Sequence, residues 1–158
     1  MEFIIGVDPG VNNTGIAVLS SKTKTVVHTL LIKRGCEAYE ANIMQQVITF
    51  CKLLDKNVFA IAVEYPRIYP KTAERANDQM DLAGVAGAYL GAAAAKGIYG
   101  YVYYPRDWKG NTPKKISNAR ILKRLPSLAH CLENFPGGKH EHIIDAAGIA
   151  LYHITGAK

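Results

Sequence analysis

The chain has 158 residues, 49% hydrophobic and 20% charged, a size and balance that predict one compact domain over 1–158 with a single core. No apolar run approaches the length of a bilayer span, so no membrane partner is expected, and Cys36, Cys51 and Cys131 are too scattered for a disulfide framework or a zinc site. The formal net charge is +6, and the segment 105–124 carries all of it: Arg106, Lys109, Lys114, Lys115, Arg120, Lys123 and Arg124 stand against Asp107 alone.

Phe3-Ile4-Ile5-Gly6-Val7 is nearly continuous in apolar character, the pattern of a central strand covered on both faces, and it stops at the turn Asp8-Pro9-Gly10. Residues 14–19 and 25–32 are β-rich and divided by Ser, Lys and Thr, so the first third predicts a three-stranded meander. Residues 37–54 have apolar positions at helical spacing. A buried-looking strand over 58–63 ends at Glu64, after which Pro66 and Pro70 bar any continuation. A long helix over 73–96 closes at Gly97, a C-cap glycine. A fifth strand over 99–104 is stopped by Pro105, a basic helix over 114–124 is broken by Pro126, Pro136-Gly137-Gly138 forms a loop, and an amphipathic helix spans 142–153. The start, MEFIIGVDPG, has neither the basic region nor the cleavage site of a signal peptide. A cytoplasmic protein is expected, and its small size points to a bacterial cell or a phage-infected bacterium.

The two most apolar strands each end in a carboxylate, Asp8 and Glu64. If they are parallel neighbours, both acids project from the sheet edge where ligands of open α/β sheets sit. Two such carboxylates repel, and they persist together at neutral pH only with a cation or a shared proton. A hard divalent ion, Mg²⁺ or Mn²⁺, suits oxygen ligands of this kind. A lone Asp ending a strand is usually a turn former. The balance changes on the last helix, where His142 and Asp145 stand three residues apart on one face. Glu141, four residues before Asp145, shares that face, and spacing leaves the choice between Glu141 and His142 open.

The clustered cations are the footprint expected of a polyanion such as a nucleic-acid backbone, the plain alternative being a solvated helix face. They follow the fifth strand directly, so Lys109, Lys114 and Lys115 are placed to hold phosphates beside the acids. Trp108, in the same segment, is either a platform for an unpaired base or, more commonly for a single Trp, partly buried core. On the long helix, Gly84, Ala88, Gly91 and Ala95 form a stripe of small residues suited to packing on the sheet or on a second copy.

IIGVDPGVNNTGIAVL, at 4–19, resembles the first strand-turn-strand motif of the RuvC-type Holliday-junction resolvases, in the ribonuclease H-like superfamily. AVE at 62–64 is similar to their second acidic motif, and IIDAAGIALYH at 143–153 to their last helix. The segment with Asn77 and Leu82-Ala83-Gly84-Val85-Ala86-Gly87 resembles their central helix, so the similarity runs through nearly the whole chain. The resemblance implies a mixed five-stranded sheet, an antiparallel meander plus two parallel strands, flanked by helices. It also implies a crossover junction endodeoxyribonuclease of DNA recombination and repair, a homodimer that resolves four-way junctions by paired nicks.

Carried over by position, the resemblance makes Asp8, Glu64, His142 and Asp145 the catalytic ligands of two Mg²⁺ or Mn²⁺ ions, with Asp8 bridging. Many members have Asp where this chain has His142, and a neutral imidazole suits Mn²⁺ better than Mg²⁺. Arg106, Lys109, Lys114, Lys115 and Arg120 become DNA contacts. Relatives wedge an aromatic side chain into the junction from the loop after the second acid, for which Tyr65 and Tyr69 are the candidates; the plainer reading is a loop packed by its own tyrosines. Three alternatives stand beside this function. A nuclease of the same fold could act on flaps, forks or RNA–DNA hybrids. A junction-binding protein without catalysis would have no reason to retain Asp8, Glu64 and Asp145. Gly6-Val7-Asp8-Pro9-Gly10 with Thr14-Gly15 also resembles the phosphate hairpin of actin-like ATPases, which need two such domains.

Overall fold

The first apolar run forms the centre of the sheet, as its unbroken hydrophobicity requires. In the computed structural model, which describes residues 2–35, 38–68, 74–133, 135 and 140–156, five strands lie in the order β3-β2-β1-β4-β5. They are β1 (Phe3–Asp8), β2 (Asn13–Ser20), β3 (Val26–Lys33), β4 (Val58–Glu64) and β5 (Tyr99–Tyr103). The first three pair antiparallel, β4 is parallel to β1, and β5 is parallel to β4. This is the expected mixed sheet. Among the described residues no helix is long and apolar enough to cross a membrane.

Each face of the sheet has its own helical layer. On one lie α1 (Tyr39–Cys51) and α2 (Ala76–Ala95), where Phe50, Val85 and Tyr89 pack on Ile5, Val7, Ile16, Ile61 and Val63. On the other lie the single turn α3 (Pro105–Trp108), then α4 (Lys114–Arg124), α5 (Pro126–Leu132) and α6 (His140–Thr155). Successive strand residues point to opposite faces, so Ile5 and Val7 serve the first layer while Ile4, Gly6 and Asp8 face α6. By the same alternation Ala60, Ala62 and Glu64 of β4 face α6.

Helix α6 is buried continuously from Ile143 to Leu151, between the sheet and α4–α5. Its close approach has a cause in two glycines. A Cβ at Gly6 would overlap the Ala146 carbonyl, and one at Gly15 would overlap the His142 carbonyl, so the helix rests backbone to backbone on β1 and β2. Small residues on both sides, Ala17, Ala60 and Ala62 against Ala146 and Ala150, keep that spacing along the helix. Truncating a fully buried member such as Ile143 or Ile149 to Ala should cost about 2–5 kcal/mol.

The opposite layer grips the turn after β1 with polar groups. Gln46 of α1 accepts hydrogen bonds from Thr14 Oγ1 (2.7 Å) and Tyr89 Oη (2.8 Å), and Asn42 Nδ2 donates to the Val11 carbonyl (2.7 Å). The predicted C-cap glycine is present: Gly97 has φ +70, and the Ile98 N–H reaches back to the Ala93 carbonyl at 3.0 Å.

Three boundaries differ from expectation. α1 ends at Cys51, and its last predicted residues form a turn that seats Leu54 in the core. Pro126 ends α4 and at once begins α5, because proline at the first helical position has no N–H to lose. Pro105 does the same for α3, where the Tyr104 N–H donates to Asp107 Oδ2 at 2.9 Å. The predicted helix starts at 37 and 73, the loop at 136–138 and Cys36 lie outside the described residues; Cys51 and Cys131 are free and half-buried.

Candidate active site

Val7 pairs with Val63 across the parallel β1–β4 ladder, so the next residues, Asp8 and Glu64, lie abreast at the ends of their strands. Both face α6, which brings His142 and Asp145 over them. Asp8 and Asp145 are only 8% and 6% exposed. The four residues expected to form the site are thus gathered from β1, β4 and α6.

Their electrostatics show what the cluster lacks. Burial pushes Glu64 up to about 7, helped by the negative charge of Asp8 and, less, Asp145, and opposed by Lys109 and a Trp108 hydrogen bond. Asp145 is raised chiefly by burial and further by Asp8, with Lys109 the largest opposing influence. Three desolvated carboxylates therefore act on one another at close range, and positive charge there is what would relieve them.

Protein cations supply part of it. His142 Nδ1 donates to Asp8 Oδ2 at 2.8 Å, a bond that raises the imidazole above its usual range; in the neutral ring that keeps this bond the proton is on Nδ1, and Nε2 has the lone pair a metal would need. Glu141 points elsewhere: it pairs with Lys114 on the exposed surface at 2.7 Å. Geometry thus separates the two residues that spacing could not, bringing His142 to the acids and leaving Glu141 outside.

The more consequential contacts come from α3 and the residue after it. Lys109 Nζ lies 3.5 Å from Glu64 Oε2 and 3.7 Å from Asp145 Oδ2, bridging two of the three acids. Its ammonium also sits 4.7 Å from the centre of the Trp108 ring. Trp108 is buried at 4% exposure and its Nε1 donates to Glu64 Oε2 at 2.8 Å. The core reading of Trp108 therefore holds, with a function added that sequence reasoning missed: it fixes a site carboxylate. The available signal was Pro105-Arg106-Asp107-Trp108, a helical turn that folds the chain back toward the strand ends.

Among the described residues no three His, Cys, Asp or Glu side chains are already set around one point as a metal cage. The donor set nevertheless fits a divalent ion, because it consists of hard oxygens and one imidazole that now lean on an ammonium and an imidazole N–H. Asp8, Glu64 and Asp145 would hold such an ion, with His142 Nε2 as a fourth donor.

The remaining expected contacts divide. Lys114, Lys115 and Arg120 are exposed along α4, and Arg120 reaches Thr112 Oγ1 at 3.5 Å; Arg106 is exposed on α3. Tyr65 is half-buried against the α1–α2 side of the core, and its N–H donates to the Tyr103 carbonyl at 2.9 Å, which favours a packing role over a free wedge. Tyr69 lies outside the described residues. The stripe on α2 does not pack on the sheet. Gly84, Gly91 and Ala95 are exposed and Ala88 half-buried, while Val85, Ala86, Tyr89 and Ala93 form the sheet-facing side.

No protein-family model and no curated protein matches the chain. Solved structures do. RuvC from Thermus thermophilus aligns with a TM-score of 0.72 at 24% identity, over 98% of this chain and 97% of that one. The T. thermophilus RuvC structure in complex with a Holliday junction substrate aligns at 0.69 and 22%, over 97% and 92%. The yeast mitochondrial Holliday junction resolvase Ydc2 gives 0.60 and 11%, over 97% and 79%. The large terminase nuclease of thermophilic phage G20c, with bound zinc, gives 0.55 and 15%, over 96% and 80%. The chain therefore has the RuvC-like arrangement of the ribonuclease H-like fold over essentially its whole length.

Proposed function

We propose that this chain is a divalent-metal-dependent endonuclease that nicks branched DNA, four-way junctions included, as a two-fold dimer. The observation that carries this reading is the meeting of Asp8, Glu64 and Asp145, where burial and neighbouring charge raise Glu64 and Asp145 and Lys109 lies between those two. The fold supports it, since its solved neighbours include a resolvase bound to a Holliday junction and a nuclease with bound zinc.

Bound Mg²⁺ or Mn²⁺ would activate water for attack on the phosphodiester and offset charge on the leaving 3′ oxygen. The chain's own residues position the reaction. Asp8, whose charge acts on both Glu64 and Asp145, would hold the metal together with them. Trp108 holds Glu64 in one orientation through its N–H. Lys109, on a flexible stem, can turn from the acids to a phosphate oxygen, while Lys114, Lys115 and Arg120 follow the backbone along α4. The exposed small-residue side of α2 suits a close helix–helix contact with a second copy, and paired nicks in a two-fold junction need two sites.

Incubation with a labelled immobile four-way junction, a fork and an RNA–DNA hybrid in Mg²⁺, Mn²⁺ or EDTA tests the proposal. Paired nicks in the junction, dependent on metal, are expected. Asp8→Asn should keep junction binding and lose cleavage by about 10³-fold, the scale of several kcal/mol of charge stabilisation. Failure of every substrate to be cut in either metal would refute it.

A further inference from the structure

The indole that reaches Glu64 also walls a cavity of about 270 Å³ between α4 and α6. Its floor is apolar, formed by the Trp108 ring, Ile121 and Gly148. Gly148 makes that floor possible: a Cβ there would stand 2.7 Å from Trp108 Cζ3 and 2.6 Å from Ile121 Cδ1, so only glycine lets both side chains close on α6. The rim is cationic and polar, with Lys109, Arg120 and Thr112, and the Arg120 guanidinium is tied to the Thr112 hydroxyl at 3.5 Å. The cavity and the acid cluster share Lys109, which lines the one and contacts Glu64 and Asp145 of the other.

We propose that this cavity takes one unstacked base, that of the nucleotide next to the phosphate held at the acid cluster. The volume, about 270 Å³, lies just under the range of ligand-sized cavities, which starts at about 300 Å³, so it admits a single base but no paired element. The chemistry matches on each side. The floor, being core, excludes water from the inner edge of a base, and the exposed Arg120 guanidinium at the rim can stack on its face or pair with the adjoining phosphate. A base in a continuous duplex cannot enter without leaving its stack, at a cost of a few kcal/mol, whereas a branch point offers nucleotides already unpaired. The cavity would thus select for disrupted DNA locally, independently of how a dimer spans the arms.

This inference rests on the nuclease reading, and the test separates the two. Two four-way junctions are compared in EDTA, identical except that one has an abasic site at the exchange-point nucleotide beside the cut. Wild type should bind the abasic junction about tenfold more weakly, the scale of losing one base stacked on protein. Arg120→Ala, a change at an exposed side chain, should bind the intact junction less well and shrink the ratio toward one. Lys115→Ala, on α4 outside the cavity, should weaken both junctions alike and keep the tenfold ratio. A wild-type ratio near one, or an undiminished ratio in Arg120→Ala, would overturn the cavity assignment. Cleavage of the intact junction in Mn²⁺ is scored in parallel: cleavage with a ratio of one removes the cavity alone, whereas a tenfold ratio without cleavage removes the nuclease reading and leaves the cavity.

Discussion

Trp108 donates its indole N–H to Glu64 across 44 residues of chain, and the 2.8 Å bond joins a core side chain to a carboxylate of the candidate site. A buried partner that restrains a ligand typically accounts for ten- to a hundredfold in metal affinity. Trp108→Phe keeps an aromatic ring and removes only the donor and part of the bulk. Mn²⁺ affinity measured by calorimetric titration should fall about tenfold; a change below about twofold would mean that Glu64 is oriented without the indole.

Glu64 also makes stability depend on pH in a definite sense. Its carboxyl, raised to about 7 in the folded chain from an ordinary 4.5, holds its proton more tightly folded than unfolded. The resulting stabilisation is complete below about pH 4.5 and is lost as pH rises through about 7. That loss amounts to at most about 3 kcal/mol. Glu64→Gln, which keeps an acceptor for Trp108, should therefore melt about 5 °C or more above wild type at about pH 8 in EDTA and converge with it near pH 4.5. Parallel melting curves for the two proteins across that range would rule this account out.

Lys109 bridges two acids that an ion would otherwise neutralise. Lys109→Met preserves the stem against Trp108 and removes the charge. In EDTA this variant should lose about 1–2 kcal/mol, and the rise in melting temperature on adding Mn²⁺ should be larger than for wild type. An equal rise in both proteins would show that the ammonium does not stand in for a metal charge.

His142 bears on the choice of metal. With imidazole among the donors, Mn²⁺ should support cleavage at least as well as Mg²⁺. His142→Asp should shift the ratio of rates toward Mg²⁺, measured on the same junction substrate, and an unchanged ratio would remove His142 from the donor set.

The strand ends were legible because sequence and sheet share one logic: an apolar run that stops at an acid places that acid at an edge, and the parallel β1–β4 pairing then sets Asp8 beside Glu64. Period-two alternation adds the face. Lys109 was legible only as charge: Pro105 and Asp107 before it signal a helical turn, but not that the turn brings the next residue onto acids. Trp108 had the same difficulty, compounded by the many buried tryptophans that bond to nothing catalytic. Proline misled at Pro126 because a helix stop and a helix start look alike when one helix follows another directly. In the sequence the glycines of β1 and β2 look like part of a turn-and-strand pattern, whereas Gly6 and Gly15 are contact points for a helix more than a hundred residues later.

Those contact points have a consequence for how such a protein can change. Main chain rather than side chain sets the height of α6 above β1 and β2, so what is attached at positions 142 and 145 can be exchanged without moving the platform that carries it. Donor chemistry is thereby uncoupled from scaffold geometry: histidine or aspartate at 142 meets the same opposing carboxylate from the same mounting. On the proposed reading, metal preference could be retuned at the helix while the frame stays untouched, provided residues 6 and 15 stay bare.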